Sequence, residues 1–369
     1  MNVLRHISVT AARARLCRRM YTQQRGSALE TALDGASQYA RLEGRAVLEV
    51  SGPDASEFLQ GMQCNDMGRM AGPGTGMLTA FLHPQGRILA DALVYGVADG
   101  FLVEVDASAS ARVLRMLQFY RLRARVKLRD CSAELGVWSA WGPDSQGLGA
   151  GAGARAWMCD ARAPNMGQRV VVARDTELQA PAGFEQRPAA EYALRRMLKG
   201  VAEGAVDMTP DQALPLESNL DFMGGVHFSK GCYVGQELTI RTHHRGTVRK
   251  RLLPVVYSLD PTAPEAVDRS FSPAALPAPQ TDITRVPQDA TSAGLAEPPR
   301  ARRAAVPGRT ASAVCNVGLA LVRLEHVTGA AHTQAQLETV GADGTRVFVH
   351  PYVPAWWPAQ AQEQTQAQN

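Results

Sequence analysis

No stretch of this sequence approaches the ~18 consecutive apolar residues that a membrane-spanning helix needs, so a spanning protein is excluded and no membrane is expected among its partners. Cysteines at metal-binding spacing are missing too. The six present, Cys17, Cys64, Cys131, Cys159, Cys232 and Cys315, form no CxxC and no His–Cys pair. That excludes a self-contained zinc or cluster site, and any metal centre has to borrow ligands from a partner. The glycine-rich stretch Gln146–Gly153 lacks the Gly-Lys-Ser/Thr ending of a phosphate loop and reads as a surface loop. Residues 1–25 hold six arginines and no acid. This is the composition of a mitochondrial transit peptide, because the membrane potential draws cations inward; a disordered basic tail is the alternative. Arg19-Met20-Tyr21 places the cleavage near Tyr21, so residues 1–21 are expected to leave the mature protein. Those arginines outweigh the net charge of +4, so the remainder is mildly acidic. Overall charge therefore gives nucleic-acid binding no support. A reducing matrix argues against disulfides.

What is present divides into two regions. Arg45–Val50 reads as an opening strand, and Ser51-Gly52-Pro53-Asp54 as a turn that starts a helix carrying Phe58, Leu59 and Met62. Met77–Leu82 and Arg87–Tyr95 form a hairpin around His83-Pro84-Gln85-Gly86. Phe101–Val105 and Arg125–Leu128 alternate as strands; Val113, Leu114, Leu117 and Tyr120 make a helical stripe between them. Val170–Ala173 is a strand, and Glu191–Lys199 a helix that stops at Gly200. After the strand Leu252–Leu259 the chain changes character. To Ala313 it holds nine of the 22 prolines and one aromatic, Phe271, and reads as a disordered insert over 259–313. Val314–Arg323, Ala335–Thr339 and Arg346–Val349 then alternate again, and residues 359–369 form a loose Gln-rich tail. The expected fold class is α+β: a first domain over 39–251, then a smaller β-barrel over 252–358.

The densest unusual signals fall in 214–254. Cys232 lies in Lys230-Gly231-Cys232-Tyr233-Val234-Gly235-Gln236-Glu237. Lys230 and the downstream arginines favour its thiolate, and a thiolate ligates soft metals or attacks electrophiles. Gly231 and Gly235 permit tight turns and close approach. An inert buried cysteine is the alternative. Arg241–Arg251 contains five Arg/Lys and two His with no acid, either a patch for polyanions or a solvated face. His243-His244 is a poor metal pair, since adjacent side chains diverge on a strand. Glu217 and Asp221, four apart, suit ion pairing as well as catalysis.

The octapeptide resembles the signature of the bacterial YgfZ proteins and their mitochondrial relatives, which are iron–sulfur cluster assembly factors. Phe58-Leu59-Gln60-Gly61, Asn65-Asp66, Gln85-Gly86-Arg87, Pro215–Asp221 and Arg241–Arg251 extend the resemblance over about Tyr39–Val256. It implies an aminomethyltransferase (GcvT)-like fold followed by a β-barrel, and a role in maturing [4Fe–4S] proteins. It also implies A-type scaffold proteins and client [4Fe–4S] enzymes as partners, with glutaredoxin a further candidate. Cys232, beside Lys230, would contact a transient [2Fe–2S] cluster shared with a partner or act as a nucleophile. By the same resemblance, tetrahydrofolate would sit among Asn65, Asp66, Glu217, Gly231, Tyr233, Gly235, Gln236, Glu237 and Arg245. The family's aminomethyltransferase carries paired aspartates for proton transfer, where this chain has Ala90-Asp91. Cys64 stands where relatives have threonine and offers a second thiol. A folate-dependent transferase and an RNA-binding or tRNA-modification factor are the rival readings.

Overall fold

The computed structural model describes residues 28–145, 148–151, 153–286, 306–328 and 336–358. The presequence expected at 1–21 and the tail at 359–369 lie outside them.

In chain order the strands are β1 (Gln38–Arg41), β2 (Arg45–Ser51), β3 (Gly76–Leu82), β4 (Ile88–Val97), β5 (Gly100–Asp106), β6 (Lys127–Asp130), β7 (Leu135–Trp141), β8 (Ala156–Cys159), β9 (Gln168–Ala173), β10 (Glu185–Gln186), β11 (Lys250–Ser258), β12 (Asp282–Arg285), β13 (Gly308–Val314), β14 (Val317–Arg323), β15 (Leu337–Val340) and β16 (Arg346–Pro351). The longer helices are α1 (Ala55–Met62), α2 (Ser110–Tyr120), α3 (Ala189–Leu198) and α4 (Gln236–Arg245).

Two five-stranded sheets, ordered β3-β4-β5-β2-β6 and β10-β1-β7-β9-β8, build the first region. Strand alternation gives each two faces. On β2, Ala46, Leu48 and Val50 pack with Phe58 and Leu59 of α1 and Val113 and Leu117 of α2. Val47 turns the other way, into the central core with Trp141, Val171 and Tyr192 of the second sheet and α3. Both faces are buried, so these strands read as near-continuous apolar runs. The third layer is a closed barrel ordered β11-β14-β13-β12-β15-β16. α3 packs between β1 and the barrel strands β11, β13 and β14. Its apolar stripe Leu194, Met197 and Leu198 belongs to the central core, which reaches Val256 and Leu319 of the barrel.

Several expectations need correction. The stretch 259–313 is not a disordered insert where it is described: it supplies β12 and β13, with Ile283 fully buried and Phe271 and Ala275 packed in the barrel core. Residues 287–305 of that stretch lie outside the described residues. Gln146–Gly153 includes a helical turn at Leu148–Gly151. His243 and His244 lie on α4, a helix, and not on a strand. β1, β7, β8 and β12 were not distinguishable as strands in the sequence. The expected strand Val314–Arg323 proves to be the last residue of β13, a turn that holds Cys315 in the left-handed region at φ 54°, and then β14.

Candidate functional site

The octapeptide is wrapped around the C-terminal end of α1. Lys230 Nζ donates to the carbonyls of Gln60, Gln63 and Asn65 at 2.7, 2.6 and 2.5 Å. The last carbonyls of a helix lack internal donors and carry partial negative charge, so a cation there is favoured. Burial pushes the Lys230 ammonium down to about 8; its carbonyl acceptors pull the other way. Val234 N adds a 3.1 Å bond to Gly61 O. Tyr233 is buried with its ring 5.0 Å from Lys230 Nζ, and burial pushes its phenol upward. Lys230 and Tyr233 are therefore fasteners. Lys230 also lines the cleft beside Cys232, and the buried Tyr233 hydroxyl has no hydrogen-bond partner.

Gly235 is a fastener of another kind. It sits at φ 79°, and a Cβ there would stand 2.4 Å from the His83 carbonyl oxygen of the β3–β4 turn. Gly86 of that turn, at φ 81°, meets it backbone to backbone. Only glycine allows both the left-handed conformation and the contact. α4 begins at the next residue, and Gln236 Oε1 accepts from Tyr233 N at 3.3 Å.

Between these anchors Cys232 is exposed, and nothing crowds Gly231 beside it. Its sulfur opens onto a cleft of about 660 Å³ shared with Gln236, Glu237, Arg241, His244 and Arg245. Glu237, Arg241 and Arg245 recur every four residues, as do Gln236, Ile240 and His244, so two adjacent helical rows form one wall. Phe228 closes the cleft from the other side, its ring stacked on His243 at 3.6 Å and 10°. Two arginines against one glutamate give this wall a net positive charge. Phe228 and Ile240 carry no signal in the sequence, and His244 stands out there only as half of a poor metal pair; reading Gln236–Arg245 as a helix brings out both rows. Among the described residues no group of three His, Cys, Asp or Glu side chains is placed to hold a metal.

The remaining nominated residues go elsewhere. Asn65 is fully buried and spends its amide on the Leu78 and Gly224 carbonyls at 2.7 and 2.8 Å. Asp66 caps a 3₁₀ turn, accepting from Gly68 N and Gln60 Nε2, and these bonds hold its carboxyl below the usual range. Glu217 pairs with Lys250 at 3.4 Å and lines a different cleft, between the first region and the barrel. Arg251 is buried, forked onto Asp221 at 2.9 and 2.8 Å and stacked on Phe222. The basic run Arg241–Arg251 thus splits into a cleft-facing part and a structural part, and ion pairing accounts for Glu217 and Asp221. Of the residues nominated for tetrahydrofolate, Gly231, Gln236, Glu237 and Arg245 line the Cys232 cleft, while Glu217 lines another and Asn65 is buried.

Asp91 is no free proton carrier. It lies in a buried charge network with Arg45 Nη2 at 3.3 Å and Gly204 N at 3.0 Å, and Arg45 Nε binds Glu104 at 2.7 Å. Burial pushes its carboxyl up. Cys64 is fully buried, bonding to Gly225 O and Ala80 N, and burial raises its thiol; it offers no second reactive sulfur.

The sequence matches the GCVT N-terminal domain over residues 43–163 and the CAF17 C-terminal β-barrel domain over residues 249–359. The glycine cleavage system aminomethyltransferase T from Bartonella henselae shares the fold, with a TM-score of 0.60 over 89% of this chain and 88% of that one, at 13% identity. Among curated proteins, the iron–sulfur cluster assembly factor IBA57 homolog, mitochondrial, of Mycosarcoma maydis is 36% identical over 86% of this chain and 84% of its own length. The human protein, iron–sulfur cluster assembly factor IBA57, mitochondrial, is 36% identical over 86% of this chain and 85% of its own. Identity of that depth across nearly the whole of both chains, with the GCVT domain and the barrel in the same order, makes this chain a member of the IBA57 family of mitochondrial iron–sulfur cluster assembly factors.

Proposed function

We propose that this protein works in mitochondria as an iron–sulfur cluster assembly factor, with Cys232 offering its thiolate to a [2Fe–2S] cluster that a partner's cysteines hold from the other side. The observation that carries the reading is the isolation of Cys232. It is exposed, fixed on both flanks and the one thiol lining an electropositive cleft, and among the described residues no group of three His, Cys, Asp or Glu side chains is placed to hold a metal. A lone soft ligand on a rigid mount suits transient sharing of a cluster better than storage of one. The A-type scaffold proteins are the partners this implies, and [4Fe–4S] enzymes the clients. Glutaredoxin is a further cluster donor of the same chemistry.

The rival readings have less to stand on. A folate-dependent transferase draws less support, because the nominated residues divide between two clefts and the interior, and Asp91 is tied to Arg45 and Gly204. No step is therefore routed through folate. An RNA-binding role loses Lys250 and Arg251 to internal ion pairs.

Cys232→Ser in cells lacking the native protein tests the proposal. Serine keeps the shape and removes the soft anion, so the variant should accumulate normally but fail to support aconitase-type and lipoyl-dependent activities. Mixing purified protein with a [2Fe–2S]-loaded A-type scaffold should perturb the cluster's visible spectrum only when Cys232 is present. Full rescue by serine at normal abundance would remove sulfur from the mechanism.

A further inference from the structure

The C-terminal end of α2 carries a feature that the cysteine site does not use. Phe119 and Leu122 are 75% and 86% exposed, the two most exposed large apolar side chains among the described residues. They lie three residues apart at the helix end. Phe119 is propped edge-on against Tyr120, with ring centroids 5.1 Å apart. Leu122 sits just past the helix in the left-handed region, at φ 44°. Glycine is the ordinary occupant of that position, and a branched side chain there costs backbone energy. A leucine that is both strained and bare contributes nothing to this fold that glycine would not.

The surroundings are strongly basic. Between Asp106 and Asp130 the sequence has seven arginines and lysines and no acid. Arg112, Arg125 and Arg129 are engaged with Asp211, Asp54 and Glu49. Arg115, Arg121, Arg123 and Lys127 form no ion pair with a described residue, and all four are exposed. Arg125 pins the loop, its backbone N and guanidinium bonding Asp54 at 2.7 to 3.1 Å. The knob is thus held in shape without help from its tip.

We propose that Phe119 and Leu122 insert into an anionic lipid surface, with Arg115, Arg121, Arg123 and Lys127 resting among the headgroups. A projecting pair of apolar side chains needs a medium that opens around it, which acyl chains provide and a flat protein face does not. Four exposed cations free of ion pairs with described residues suit a surface of negative charge. This docks the protein on a bilayer face without any spanning segment, and it revises the expectation of no membrane among its partners.

The test is co-sedimentation of the full-length chain with phosphatidylcholine vesicles containing phosphatidylglycerol, against pure phosphatidylcholine. All variants keep the same N-terminus, because its six arginines also attract anionic lipid. Replacing Phe119 and Leu122 together by serine should weaken binding roughly tenfold or more. Replacing Arg115, Arg121 and Arg123 by glutamine should weaken it by about a hundredfold, since each cation near the surface is worth about fivefold. Leu122→Gly separates function from fold: it should bind less tightly while melting no lower than the parent. Undiminished binding by these variants would overturn the proposal. So would a concentration-dependent dimer that the serine variant abolishes in the absence of lipid, because the knob would then be a contact between two copies.

Discussion

Gly231 and Gly235 stand four residues apart in one motif, and the sequence offers no means of telling their roles apart. Gly235 holds a left-handed backbone against the His83 carbonyl, while Gly231 borders open space. Gly235→Ala should therefore destabilise the protein by about 2 kcal/mol or more, through strain and collision together. Gly231→Ala should cost no more than about 0.5 kcal/mol. Urea unfolding of the two variants checks the contrast, and equal effects would contradict it. Lys230 makes a similar point. A lysine two residues before a cysteine invites an electrostatic reading, but its acceptors belong to Gln60, Gln63 and Asn65, 165 to 170 residues upstream. Lys230→Met leaves those carbonyls without their donor and should cost about 2–4 kcal/mol in the same measurement. Cys232 itself was legible because a short motif travels intact in sequence. Its fasteners were not, because they are made at a distance.

At the scale of elements, periodicity served where one pattern dominated. β2, β4, β5, α2 and α3 were all visible as alternation or helical stripes. α4 was missed because its polar rows, Gln236-Ile240-His244 and Glu237-Arg241-Arg245, face a cleft rather than a core and leave no apolar stripe. The proline-rich stretch misled for another reason. A strand of four residues such as β12 needs a single core contact, and Ile283 supplies it with complete burial. Composition averaged over 259–313 hides one isoleucine. Ile283→Ala should cost about 2–4 kcal/mol, whereas Leu259→Ala, at a position 57% exposed, should stay within about 0.5 kcal/mol. Thermal melts of both variants decide whether β12 is a stave of the barrel. If Ile283→Ala melts like the parent, the barrel assignment of this segment fails.

Across the whole molecule, the two ends of the described chain meet over the end of α3. Glu30 Oε1 accepts from Ala355 N at 2.8 Å, and Lys199 Nζ donates to Glu30 O at 3.1 Å. Trp356 Nε1 donates to Lys199 O at 2.9 Å, and Tyr352 Oη to Leu198 O at 2.7 Å. Burial pushes the Glu30 carboxyl up to about 7, against about 4.5 for a free glutamate. Its native form thus holds a proton that the unfolded chain has released between those pH values. The contribution of Glu30 is complete below about pH 4.5 and is lost as pH rises through 7. Glu30→Gln should cancel that part of the pH dependence, worth on the order of 1–3 kcal/mol, and unfolding curves of both proteins between about pH 5 and about pH 8 measure it. A steeper loss in the glutamine variant would refute the assignment. The closure also sets a schedule. Glu30 and Ala355 are separated by 325 residues, so a chain growing at about 5–20 residues per second keeps Glu30 waiting for tens of seconds. Until its last residues emerge, the nascent protein has an open seam over α3, and that interval is when a chaperone has most to hold.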